Sequence, residues 1–149
     1  MSRIIFTNEN GNVSVFNPST GIATDEHAAK VVPPGVEYEI VNDDAIFPPD
    51  ELFFDAWRWA GKGKQITEDL EKSKECACEQ VKASAIQQFR KASEAAVFDD
   101  SAVRTAEAVK SECKCCLDAI NAASTPYEAK VLMCSYCELP EPQQSSSSN

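Results

Sequence analysis

The sequence predicts an α+β protein in which a small β-rich N-terminal module is followed by long helices forming a helical hairpin or bundle. Three observations carry this reading. Residues 3–6 and 13–16 are short β-prone runs separated by Asn8-Glu9-Asn10-Gly11, a hairpin signal. Residues 67–98 contain neither Pro nor Gly. Thr125-Pro126 followed by Glu128 spells a helix start, with a capping side chain, a proline at the first helical position and an acid three residues after the cap. The expected organisation is a β-rich docking module over 1–60, a hinge at 61–66, a hairpin plus third helix over 67–137, and a Pro/Ser-rich tail over 138–149.

Within the first module, Val13 and Val15 share one strand face, and Asn17-Pro18-Ser19-Thr20-Gly21 closes that strand. Thr24 caps a short helix with Asp25 and Glu26 in its first turn, which ends near Lys30 before Val31-Val32-Pro33-Pro34-Gly35. A third strand follows over 36–41. Residues 46–59 carry Phe47, Leu52, Phe53, Phe54, Trp57 and Trp59 and are read as the hydrophobic closure of the module, since such side chains dominate core burial. Gly61 and Gly63 mark the hinge. Gly63-Lys64 is not a phosphate loop, because Gln65 stands where that pattern needs Ser or Thr.

The stretch 67–98 reads as one helix of about 32 residues, roughly 48 Å long. Its apolar positions, Ile66, Leu70, Ala77, Val81, Ala85, Phe89, Ala92 and Ala96, form a narrow stripe whose one gap is filled by Ser73 or Lys74. Glu68 and Lys72 have the spacing of a helix-stabilising ion pair. Asp99-Asp100-Ser101 breaks the chain and caps a second helix with a seam of Ala102, Ala106, Val109, Cys113, Cys116, Ile120 and Ala123. Such a seam serves an antiparallel hairpin packed on itself or a long bundle shared between subunits. The third helix runs to about Tyr136, before Leu139-Pro140-Glu141-Pro142 stops it.

Seven cysteines bear on chemistry: Cys76, Cys78, Cys113, Cys115, Cys116, Cys134 and Cys137. Cys113 with Cys116, and Cys134 with Cys137, have the same spacing on consecutive helices, so each pair lies on one helix face. If the third helix folds back near residue 124, bridges Cys113–Cys137 and Cys116–Cys134 are feasible, each with a mismatch of roughly 3 Å along the helices. Cys76 and Cys78 lie too far along their helix to face Cys113 in a simple hairpin, about 33 Å from the turn against about 20 Å. With Cys115 they are left over, and an odd total suggests cross-links between chains. The alternative is zinc held by Cys113, Cys116, Cys134 and Cys137, whose C-x2-C-x17-C-x2-C spacing fits a tetrathiolate pattern. Reduced, buried thiols are the third possibility. Thiol redox catalysis ranks lower, since a reactive Cys-x-x-Cys opens a helix, where the dipole lowers the thiol pKa, and Cys134-Ser135-Tyr136-Cys137 closes one.

Charge narrows the partners. Fourteen Lys and Arg against 24 Asp and Glu give a net charge of −10, with no basic block to track a phosphate backbone, so neither nucleic acid nor membrane is an expected partner. The N-terminal residues reach polar positions too soon for a secretory signal, which points to synthesis in the cytoplasm. His27 is the only histidine and reads as a solvated helix residue; no nucleophile-elbow, zinc-protease or dinucleotide motif is present, so no catalytic residue and no cofactor are assigned.

Several short segments carry a resemblance: Met1-Ser2-Arg3-Ile4-Ile5-Phe6-Thr7-Asn8, Gly11-Asn12-Val13-Ser14-Val15, Ala28-Ala29-Lys30-Val31-Val32-Pro33, Tyr38-Glu39-Ile40-Val41, Phe54-Asp55-Ala56-Trp57 and Thr125-Pro126-Tyr127-Glu128-Ala129-Lys130. Together they resemble a family of small proteins encoded in the structural gene modules of tailed bacteriophages, with a β-rich head, a charged helical hairpin and a final Thr-Pro-Glu-type helix. The resemblance implies a non-enzymatic virion protein of the tail, neck or fibre region. Its partners would be other virion proteins and copies of itself. Members of that family usually lack a cysteine set of this density, which implies a virion reinforced by disulfides formed after lysis. A tail-fibre assembly chaperone and a zinc-stabilised cytoplasmic adaptor are the alternatives.

Overall fold

A computed structural model of the chain describes residues 1–143. The chain divides between Asp69 and Leu70 into two units. The first is built on a three-stranded antiparallel sheet in which β1 (Arg3–Thr7) lies between β2 (Val13–Phe16) and β3 (Tyr38–Val41). Asn8 closes the first turn by accepting the backbone N–H groups of Asn10 and Asn12 on its side-chain oxygen, at 3.0 and 3.2 Å. Because successive strand residues point to opposite faces, β1 sends Ile4 and Phe6 to one side and Ile5 to the other.

Each face is covered by a different element. Ile4 and Phe6 pack with Ala23 and with Ala28 of α1 (Asp25–Val31). Ile5 packs with Val13, Val41, Trp57, Trp59 and Ile66, the two tryptophans being supplied by the aromatic stretch expected to close the module. Phe53 is also fully buried, whereas Leu52 and Phe54 are partly exposed. Thr24 caps α1 as expected. His27 has a structural role there: its Nδ1 accepts the Thr24 backbone N–H at 3.1 Å, and its own backbone N–H donates to Thr24 Oγ1 at 3.3 Å.

The expected hinge at 61–66 lies in the connection between the strands of a second, two-stranded sheet, β4 (Trp57–Arg58) with β5 (Thr67–Glu68). Gly61 and Gly63 have φ of 132° and 78°, conformations that side chains disfavour, so the glycines serve a defined turn. Ile66 is buried, and its N–H donates to Ile46 O at 2.9 Å. Pairing of Thr67 and Glu68 with β4 also moves the start of the long helix, since those residues cannot be strand and helix at once.

The second unit has three helices: α2 (Leu70–Ala95), α3 (Ser101–Asn121) and α4 (Pro126–Tyr136). α2 is therefore shorter than the helix expected over 67–98. At its C-terminal end, Val97 N–H donates to Glu94 O and Phe98 N–H to Ala95 O, tightening the last turn, and Asp99 accepts both the N–H and the hydroxyl of Ser101 to start α3. Phe98 is 94% exposed, so extending the helix through it would bury nothing. α2 and α3 form an antiparallel hairpin: Lys74 Nζ donates to Asn121 O at 2.9 Å, while Lys110 Nζ lies 5.0 Å from the centre of the Phe89 ring. The buried positions are Ser73, Ala77, Val81, Ala85 and Ala92 on α2, and Ala102, Ala106, Val109 and Ile120 on α3. Ser73 fills the gap in the stripe. Lys72 pairs with Glu75 at 3.0 Å, and Glu68 lies in β5 rather than on the helix.

α4 packs on both partners and begins as its sequence predicts, with Thr125 Oγ1 accepting Glu128 N–H at 3.1 Å. The Glu128 carboxylate reaches back one residue beyond the cap, to Ser124 N–H at 2.8 Å. The helix ends with Leu139 N–H on Cys134 O and Glu138 N–H on Ser135 O, a Schellman arrangement that places Glu138 at φ 56°. The expected tail begins in described chain, but its Gln143-to-Asn149 serine run lies outside the described residues from 144 onward.

Candidate functional site

The cysteines are set by the three helices of the second unit, and all seven are thiols. Cys76 and Cys78 ride on α2, Cys113, Cys115 and Cys116 on α3, and Cys134 on α4, with Cys137 at the α4 C-cap. Cys134 is buried, Cys115 is exposed, and the others are half-buried. The thiol of Cys116 donates to Leu132 O at 3.8 Å and that of Cys137 to Gln80 O at 3.9 Å, while Cys78 Sγ lies 4.0 Å from Asn121 Oδ1. Each of these long, weak bonds joins two helices. The thiols thus behave as small packing groups with a feeble donor.

Electrostatics agree with that role. Burial pushes the Cys116 thiol up to about 11, and the neighbouring Cys113, Cys137 and Cys78 push in the same direction. Burial likewise raises Cys78, an effect that Lys82 opposes and Cys113 reinforces. Tyr136 is pushed up to about 12, chiefly by burial and then by Cys113 and Cys116. Its hydroxyl makes no well-formed hydrogen bond, and the Cys113 side chain is the group set to meet it.

Cys78 and Cys113 are near enough for their charges to interact, although the partner of the Cys78 thiol across the hairpin is Asn121. α2 stops at Ala95, so from the helix ends Cys78 is about 26 Å away and Cys113 about 18 Å, an offset of roughly 8 Å rather than 13 Å. Among the described residues, no three His, Cys, Asp or Glu side chains are placed to hold a metal ion. The expected bridges Cys113–Cys137 and Cys116–Cys134 are not formed in the structure. No family model, curated protein or solved structure matches the chain.

A second feature of this unit was not expected from the sequence, although Ala85, Phe89 and Val109 of its floor belong to the apolar stripes read there. A groove of about 780 Å³ runs between α2 and α3, floored by Ala85, Ile86, Phe89, Val109 and Leu117. Ile86 is 58% exposed there. Beyond the groove, at the turn of the hairpin, Val97 and Phe98 are also exposed, as is Val103 in the first turn of α3. A different, polar cleft on the same unit is lined by Ser84, Gln88 and Glu112 together with Ser135 to Glu138 at the end of α4. In the first unit, a cleft of about 330 Å³ beside Phe47 and Trp57 is lined in part by Arg3 and Asp44, which form an ion pair at 2.7 Å. No helix among the described residues is long and apolar enough to cross a membrane.

Proposed function

We propose that the chain is a non-enzymatic structural protein of a tailed-bacteriophage particle, placed in the tail, neck or fibre region, where it joins neighbouring virion proteins. The observation that carries the joining role is the exposed apolar surface of the α2–α3 hairpin, with Ile86 in the groove and Val97 and Phe98 at the turn. Large apolar side chains left exposed along one hairpin suit contact with another protein. The phage assignment is supported by the short N-terminal and Thr-Pro-Glu segments that resemble the phage family. The two separately cored units suit a protein that holds one neighbour with its sheet and another with its helices. A thiol held near pKa 11 is the reverse of the depressed pKa that a nucleophilic cysteine needs, which favours a structural use of the cysteines. Disulfide reinforcement between copies would run first through Cys115, the exposed cysteine.

Mass spectrometry of purified particles tests the assignment. Recovery of the chain at a fixed copy number relative to the other particle proteins is the expected result. Abundance in producing cells with none in particles would replace the virion role with that of an assembly chaperone. Running the same particles with and without reductant reads the cross-link, as a disulfide-linked dimer that collapses on reduction and is lost in Cys115→Ser.

A further inference from the structure

The apolar groove of the hairpin has a rim whose charge is opposite to that of the chain. Lys82, Arg90, Lys110 and Lys114 line it against the single carboxylate of Asp118, although the whole sequence carries a net charge of −10. None of these four cations is in an ion pair among the described residues. Lys110 instead lies over the Phe89 ring at the groove floor. The groove also faces away from the third helix: at 100° per residue, Ile86 is about 200° round α2 from Ser84 and Gln88, which line the cleft beside the end of α4. One side of the hairpin is thus covered by α4 and the other presents an apolar trough between two basic edges.

From this we infer that the groove is the docking site for an acidic amphipathic helix of a partner protein, which would complete a four-helix arrangement around the hairpin. From Lys82 to Ser93 the trough is about 16 Å long, three turns of helix, a span that suits apolar anchors at i, i+3 or i+4, and i+7. Glu or Asp residues flanking the anchors would meet the two basic edges. A second copy seated groove to groove is disfavoured by the same charges, since it would bring two sets of four cations together. The inference rests on the reading of the chain as a joining protein and supplies the chemistry of one neighbour.

The test is direct binding of the full chain to two labelled 18-residue helical peptides with identical Leu anchors, one flanked by Glu and one by Lys. The Glu-flanked peptide is expected to bind at least about tenfold more tightly, and less tightly as salt is raised. Lys110→Glu with Lys114→Glu, both at exposed positions, reverses that preference, and Ile86→Ser weakens the Glu-flanked peptide about fivefold while leaving the helical signal unchanged. Equal binding of the two peptides, binding of neither, or binding that survives both sets of substitutions would overturn the inference. So would a dimer of the chain that dissociates in Ile86→Ser, since the occupant would then be a second copy. Absence of the chain from purified particles with the peptide preference intact removes the virion assignment and leaves the groove's role standing.

Discussion

Cys116 is held as a neutral thiol by its burial and by three neighbouring thiols, which raise its pKa from 9.0 to about 11. A group whose folded pKa lies above its unfolded value stabilises fully below the unfolded value and stops doing so as pH rises through the folded one. Denaturation of the helical unit, followed by its helical signal, is therefore expected to become easier from pH 9 to 11, and Cys116→Ser is expected to flatten that dependence. At neutral pH the thiolate fraction of Cys116 is about 100-fold below that of an ordinary thiol, so alkylation should reach exposed Cys115 well before it. Equal rates at the two would mean that Cys116 is not shielded. Glu138 offers a second single-residue test. It takes a left-handed φ of 56° where helix ends favour glycine, and Glu138→Gly should stabilise the unit by about 0.5–1 kcal/mol in urea denaturation.

At the scale of the element, the hairpin depends on small side chains that let two helices approach closely. Val81 is among the few branched residues fully buried in that seam, so Val81→Ala removes two methyl groups from a site with little capacity to collapse. A loss of about 2 kcal/mol is expected by denaturant titration, and a loss below about 0.5 kcal/mol would show that the seam relaxes around the gap. Much of this was legible in the chain itself. The stripe through Ala77, Val81, Ala85 and Ala92, the seam through Ala102, Ala106, Val109 and Ile120, and the Thr125 cap all occur as the spacing predicts, because each depends on residues within a turn or two of one another. The start of α2 was not legible, since Thr67 and Glu68 carry good helix-start signals and are diverted by pairing with Trp57 and Arg58. The thiol neighbourhood was half legible: the Cys113/Cys116 spacing was readable, but the arrival of Cys78 depends on where α2 stops.

For the whole molecule, the division at Asp69 separates two cores with different reporters. Both tryptophans are buried in the first unit, whereas the three long helices belong to the second. Tryptophan fluorescence and far-ultraviolet circular dichroism are expected to give different unfolding midpoints for the intact chain. Coincident curves would instead show that the units unfold as one. By itself the sequence determined the α+β class, the first three strands and the short helix of the first unit, the Thr125 cap and the inward faces of the long helices, and the acidic balance that makes a basic rim conspicuous. Only the tertiary structure decided that residues 61–66 connect two paired strands, and that α4 covers one side of the hairpin and not the other. It also decided that Lys82 and Arg90 from one helix share a groove with Lys110 and Lys114 from the next. Caps and periodicities act between residues a few positions apart and are written locally. A groove exists only once two helices have folded back in a particular register, and that register is set by packing along their whole length.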